Sequence, residues 1–213
     1  MKKVLITGGA GFIGSNSALE FASKGWEIHL IDNLSRKGGI INLNNLKKKI
    51  KFKFYKCDIE KFKKLSSIIK KIKPKLVIHC AGQVAVTTSV KNPRSDFNSN
   101  ALGTLNVLES IRLYSNKTKL IFLSTNKVYG DVSNHLVKSG KKRYFFKGKL
   151  KNIDEGYPLD LHSPYGCSKG AADQYVRDYS RVYMIDAIVL RMSCIYGNMQ
   201  FGIEDQGWIT WLT

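Results

Sequence analysis

With 213 residues the chain has room for one domain with a buried core and too few for two full ones. Its wholly apolar runs, such as Val77-Ile78 and Ile188-Val189-Leu190, stop far short of the ~18–20 residues of a membrane helix, and its four scattered cysteines, Cys57, Cys80, Cys167 and Cys194, form no CxxC pair and no cluster with histidine, which argues against a zinc site or a disulfide framework and fits a reducing cytoplasm. The formal charge of +19 comes from runs such as Lys47-Lys48-Lys49, Lys70-Lys71 and Lys141-Lys142-Arg143, with no nucleic-acid motif beside them, and reads as a solvated surface rather than a polynucleotide face.

Met1-Lys2-Lys3 has the positive start of a signal peptide, but the apolar stretch after it breaks into glycines within a few residues, so it reads as a first strand. In chain order the β-rich runs fall at 2–7, 26–31, 51–56, 75–80, 118–124 and 186–191. Between them, amphipathic stretches with apolar residues at three- and four-residue spacing predict helices at 12–24, 60–72, 96–114 and 163–184. Strands alternating with helices predict an α/β fold, a doubly wound parallel sheet covered on both faces. Two segments, 33–48 and 130–162, carry no clear period and are predicted irregular; the second is long enough to shape a ligand site or lid. After residue 192 the pattern dissolves, dividing the chain into a cofactor-binding domain at 1–191 and the start of a substrate-binding region at 192–213.

The turn after the first strand reads Thr7-Gly8-Gly9-Ala10-Gly11-Phe12-Ile13-Gly14, a GxxGxxG spacing that lets the backbone approach a pyrophosphate at a helix N-terminus. Gly14 allows the helix and strand to pack closely. Asp32 ends the second strand, 18 residues beyond Gly14, where a carboxylate accepts ribose hydroxyls and repels a 2′-phosphate. NAD is therefore preferred over NADP, although Arg36 leaves a 2′-phosphate open as an alternative.

Tyr165 and Lys169 are four residues apart on a predicted helix and share a face. An ammonium there, with a cationic nicotinamide, favours the phenolate and makes the tyrosine a usable base. Ser124-Thr125 closes a strand at the carboxyl edge of the sheet, where open α/β sheets bind ligands, and Asn100 lies upstream at or within a helix.

Together TGGAGFIG, Asp32, Asp58-Ile59, His79-Cys80-Ala81, Asn100 in NALGT, STNKVYG at 124–130, YGCSK at 165–169 and LRMSCIYG at 190–197 resemble the extended short-chain dehydrogenases that act on nucleotide-sugars, over essentially the entire chain. The resemblance implies a Rossmann fold and bound NAD. It makes Tyr165 the proton-transferring base, gives Lys169 the nicotinamide ribose and the tuning of Tyr165, and gives Thr125 the reacting sugar hydroxyl. It makes Asn100 a support for helix geometry and a relay water. Asp58 and Ile59 would flank adenine, Ala81 would line the cleft, and Gly8, Gly11, Phe12, Ile13, Gly14, Asp32 and Asn33 would complete the cofactor site.

Relatives that dehydrate hexoses place an Asp-Glu pair after the active-site threonine; here Asn126 and Lys127 stand there, which disfavours dehydration. The tail LRMSCIYGNMQFGIEDQGW is most similar to the CDP-paratose 2-epimerases of lipopolysaccharide biosynthesis. Cys194 and Asn198 depart from the broader family and argue against a standard UDP-galactose 4-epimerase. The implied reaction is redox-neutral: Tyr165 takes the sugar hydroxyl proton, a keto-sugar forms and turns over, and C2 is inverted, or C4 in the commoner alternative. The family's further hundred or so residues, which grip the nucleotide, are expected to be missing. That leaves Trp208, Ile209, Trp211 and Leu212 without their covering domain and the chain binding NAD with little turnover. A nucleotide-sugar is thus the expected small-molecule partner. The family's usual pairing through the helices at 96–114 and 163–184 implies a homodimer, with no nucleic-acid or membrane partner.

Overall fold

The computed structural model describes residues 1–212 apart from 134 and 149. Six parallel strands form one sheet: β1 (Lys3–Thr7), β2 (Glu27–Asp32), β3 (Phe52–Lys56), β4 (Leu76–His79), β5 (Lys119–Thr125) and, after a two-stranded hairpin of β6 (Val137–Ser139) and β7 (Tyr144–Phe146), the last strand β8 (Ala187–Met192). Their order is β3-β2-β1-β4-β5-β8. The chain winds outward from β1 through β2 to β3, then returns to the other side of β1 for β4, so the carboxyl ends of β1 and β4 border the crevice where such sheets bind ligands.

The period of two in the strands sorts side chains to opposite faces. Val4 and Ile6 of β1 pack with Ile28, Leu30, Leu43 and Leu46 under α1 (Phe12–Ser23) and α2 (Gly39–Lys49). Leu5, between them, packs with Ile31, Phe122, Leu108 and Val176 under α3 (Phe62–Ile72), α6 (Gly103–Tyr114) and α7 (Ser163–Val182). Leu5, Ile6, Leu30, Ile31, Leu108 and Phe122 are fully excluded from solvent, and each contributes roughly 1.5–3 kcal/mol by burial.

The segment 33–48 is not irregular throughout. From Gly39 it forms α2, entered through Gly38 in the left-handed region at φ 86°, and its Leu43 and Leu46 reach the core. Two buried leucines among asparagines and lysines are too few to set a visible helical period, and the packing against α1 supplies the rest. The predicted helix at 96–114 is broken. A short α5 (Pro93–Phe97), begun by Asn92 accepting from the Ser95 amide and by Pro93 in its first turn, runs into a π-turn at Asn98–Leu102 before α6. A short α4 (Val86–Lys91) precedes it. The 130–162 segment contains the β6–β7 hairpin, and beyond β8 an isolated bridge joins Ile203 to Gln206 ahead of α8 (Trp208–Leu212).

Candidate active site

The glycine turn is shaped by close backbone approach. Gly8 sits at φ 65°, and a Cβ there would lie 2.7 Å from the amide nitrogen of Ala81. At Gly14 a Cβ would come within 2.1 Å of the Gly8 carbonyl oxygen, so the first turn of α1 closes directly on β1. Gly11, which caps α1, offers no side-chain acceptor to the first-turn amides, leaving them available to an anion. Both carboxylate oxygens of Asp32 are oriented by main-chain donors: the Ala10 amide at 3.0 Å and the Leu34 amide at 2.7 Å. Each oxygen retains a lone pair for a ligand hydroxyl. Asn33 donates to Asp58 at 2.8 Å, and Asp58 also accepts the Glu60 amide at 2.9 Å, which fixes the adjoining wall.

A cavity of about 630 Å³ runs along this edge. Gly8, Gly11, Phe12, Ile13, Gly14, Asp32, Asn33, Asp58, Ile59, Ala81, Thr125, Tyr165 and Lys169 all line it, so thirteen of the fourteen residues singled out from the sequence meet in one place. Asn100 does not line it; it is 1% exposed beneath the floor. Its amide nitrogen donates to Asp96 and Ser168, each at 3.1 Å, its side-chain oxygen accepts the Gln83 amide at 3.0 Å, and its carbonyl accepts the Thr104 hydroxyl at 2.6 Å.

Tyr165 enters α7 at its third residue, after Pro164. Its backbone amide, unsatisfied within the helix, donates to the Ser89 hydroxyl of α4 at 3.1 Å. Burial raises the phenol above its usual value, while the contact with Thr125 lowers it and the charge of Asp96 raises it further. Lys169, one turn on, is 7% exposed; its ammonium donates to the Leu123 carbonyl at 2.5 Å and lies 4.3 Å from the centre of the Phe122 ring. Burial pulls it down to about 8, with Cys80, Asp173 and Asp96 holding it up.

Beneath the site, His79 joins β1 to the first turn of α6. Burial pushes its imidazole down to about 3, so it is neutral. The Thr104 hydroxyl spends its proton on the Asn100 carbonyl and must therefore accept from His79 Nε2 at 3.1 Å, which leaves Nδ1 to accept from the Thr7 hydroxyl at 2.6 Å. Thr7 Oγ1 in turn accepts the Ala81 amide at 3.3 Å. On the other flank, Arg191 of β8 is paired with buried Asp173 by two bonds of 2.9 Å, and Ser124 donates to the same carboxylate at 2.9 Å. That arrangement holds the carboxyl end of β5, which carries Thr125.

Further residues complete the wall, some without a signal in the sequence and some from the tail quoted above. Val84, Val86 and Thr87 line the cavity from the loop after β4 and from α4. Gln200, Phe201 and Trp208 come from the tail, which is tied back by Asn16 donating to the Asn198 carbonyl at 2.8 Å and Asn42 donating to the Met199 carbonyl at 3.0 Å. The Phe201 ring rests against Gly38, where a Cβ would lie 2.2 Å from it. The tail thus walls the cavity beside α1 and α2, where the long-range hydrogen bonds hold it.

Residues 5–204 match the family described as GDP-mannose 4,6 dehydratase. The chain is 47% identical over 209 residues to the CDP-paratose 2-epimerase of Salmonella typhi, covering 98% of this chain and 62% of that protein. It is 36% identical to a putative UDP-glucose 4-epimerase of Methanocaldococcus jannaschii, covering 92% and 57%. Among solved structures, the UDP-glucose 4-epimerase of Thermotoga maritima with UDP-glucose superposes with a TM-score of 0.81 at 30% identity, covering 98% of this chain and 60% of that one. The Thermus thermophilus UDP-glucose 4-epimerase complex with NAD gives 0.76 at 31% identity, covering 93% and 57%. The chain therefore spans about three fifths of the length of these relatives. Among the described residues no helix is long and apolar enough to cross a membrane, and no group of three or more His, Cys, Asp or Glu residues could hold a metal ion.

Proposed function

Because this chain belongs to the GDP-mannose 4,6 dehydratase family of NAD-dependent epimerases and dehydratases, we propose that it is the cofactor-binding part of a nucleotide-sugar epimerase, with CDP-paratose inverted at C2 as its reaction. The observation that carries this reading is the meeting of the glycine turn, Asp32, Thr125, Tyr165 and Lys169 in one cavity at the carboxyl edge of the sheet. The choice of sugar and carbon rests on the 47% identity to the Salmonella typhi protein.

The cavity suits NAD. The turn around Gly8 and Gly14 leaves no room for a Cβ, so the backbone itself faces the ligand. Asn42 Oδ1 and Gln200 Oε1, both on the wall, are buried acceptors with no partner among the described residues, which a ligand hydroxyl or amine would satisfy. Gly8, Gly11, Phe12, Ile13 and Gly14 would hold the pyrophosphate, Asp32 the adenosine ribose, Asn33, Asp58 and Ile59 the adenine side, and Ala81 and Lys169 the nicotinamide end. When bound, NAD supplies a reversible store for one hydride.

The protein's own work is proton transfer and positioning. Tyr165 takes the proton of the sugar hydroxyl as the carbon is oxidised and returns it once the keto-sugar has presented its other face. Lys169 favours the phenolate by its charge. Thr125 orients the reacting hydroxyl, and Asn100 supports the helix behind it. Asn126 and Lys127, after Thr125, offer no carboxylate for eliminating water, in keeping with epimerisation.

On this reading 1–191 forms the NAD-binding domain, 192–213 begins the substrate-binding region, and the protein works in a reducing cytoplasm. Exposed Leu113 of α6 and Tyr175 and Val182 of α7 support pairing of two copies through those helices. Titration calorimetry with NAD and NADP on the 213-residue chain and on Asp32→Ala tests the cofactor assignment. NAD should bind, NADP more weakly, and the substitution should narrow the difference; equal affinity for both cofactors in the parent chain would overturn the role of Asp32.

A further inference from the structure

A carboxylate that the proposed reaction does not use lies directly behind its reacting groups. Asp96, at the end of α5, is 1% exposed. One of its oxygens accepts the Asn100 amide at 3.1 Å and the other accepts the hydroxyl of Ser168, the residue between Tyr165 and Lys169 that points into the protein. Asn100 also donates to Ser168 at 3.1 Å, so the three side chains form a closed triangle. Asp96 forms no ion pair with a cation among the described residues, yet its charge acts on both Lys169 and Tyr165.

We propose that Asp96 is a positioning residue of the reacting centre: through Ser168 and Asn100 it locks the first turns of α7 to the π-turn, and its negative charge retains the proton on Lys169. Asn100, within the π-turn, donates back to Asp96 four residues earlier while its carbonyl accepts from Thr104 four residues later. A carboxylate so enclosed is costly unless it is hydrogen-bonded and lies near a cation. Burial raises the Asp96 carboxyl above its usual value, and the hydrogen bonds from Ser168 and Asn100 and the charge of Lys169 oppose that rise. Lys169 benefits in turn, because a buried ammonium is stabilised by each carboxylate that faces it. It is faced by Asp96 from α5, by Asp173 one turn further along α7, and by Cys80 and neutral His79 at the end of β4. Asp173 is already occupied by Arg191 and Ser124, which leaves Asp96 as the carboxylate without a competing cation.

The catalytic meaning of this arrangement rests on the proposed role of Tyr165 and Lys169, but its test needs neither cofactor nor sugar. In the chain carrying 13C at the lysine ε-carbon, Lys169 is the resonance that titrates below the other lysines and is missing in Lys169→Arg. Asp96→Asn keeps the shape and can still bond Asn100 and Ser168, and it should move that midpoint down by about one pH unit. Ser168→Ala keeps the charge and should move it much less. An unchanged midpoint in Asp96→Asn would overturn the proposal, as would an equal shift in Ser168→Ala. If Asp96→Asn does not fold, the 13C resonance of the Asp96 carboxyl in the parent chain decides: ionised at neutral pH it supports the proposal, and protonated there it overturns it. A chain that shows the coupling but binds no NAD would sink the functional reading and leave this one standing.

Discussion

At the scale of single residues, backbone conformation and burial set what each side chain does. Gly8 combines a left-handed φ of 65° with an Ala81 amide 2.7 Å from where a Cβ would stand, so the position penalises any side chain twice. Gly8→Ala should destabilise the chain by about 1–3 kcal/mol and weaken NAD binding, read by thermal unfolding and calorimetry; an unchanged NAD affinity would remove the turn from the cofactor site. Tyr165 and Lys169 lie in one buried place, so neither titrates as it would in water. In an assay of the proposed sugar epimerisation, Tyr165→Phe should lower kcat by about 10²- to 10⁴-fold with NAD affinity retained. Loss of NAD binding instead would make Tyr165 a structural phenol.

The elements are held in register by buried polar bridges. His79 at the end of β4 is neutral because burial has driven its pKa from 6.5 to about 3. An unfolded chain binds a proton at this histidine below about pH 6.5, whereas the folded chain refuses it until about pH 3. The folded state is therefore fully favoured above that window and loses stability as pH falls through it. Urea unfolding between pH 7 and pH 4 should show a decline that is smaller in His79→Gln; parallel curves would mean that the imidazole is not neutral or not buried. The helix start at Tyr165 depends on Ser89 in the same manner. Ser89→Ala leaves a buried amide without an acceptor and should cost about 1 kcal/mol of stability.

Across the whole molecule, the sheet has a sealed middle and two half-open flanks. Phe122 in β5 is fully buried between α6, α7 and the Lys169 ammonium, and Phe122→Ala should cost about 3–5 kcal/mol, measured by chemical denaturation. The flank at β8 differs: Ile188 and Leu190 are 54% and 41% exposed, and Trp208, Trp211 and Leu212 add further apolar surface. An edge strand with an apolar face is a site for self-association. Light scattering should detect concentration-dependent association that Ile188→Lys with Leu190→Lys reduces; no change would show that this face is not where copies meet.

The alternation of short apolar runs with amphipathic helices determined the doubly wound sheet by itself, because strand and helix periods are local and each buried face leaves its mark on its own segment. TGGAGFIG, Asp32, Tyr165 and Lys169 were legible for the same reason: each is a short-range spacing tied to one turn or one helix face. Helix α2 was not, since Leu43 and Leu46 alone define its buried side, nor was the π-turn, whose widened register is imposed by the contacts of Asn100 and Thr104 with residues far along the chain. The return of the tail onto α1 and α2 and the burial of Asp96 behind Ser168 were likewise decided only in three dimensions. Both join residues far apart in the chain, and the energy of such a contact depends on which side chains the fold brings together.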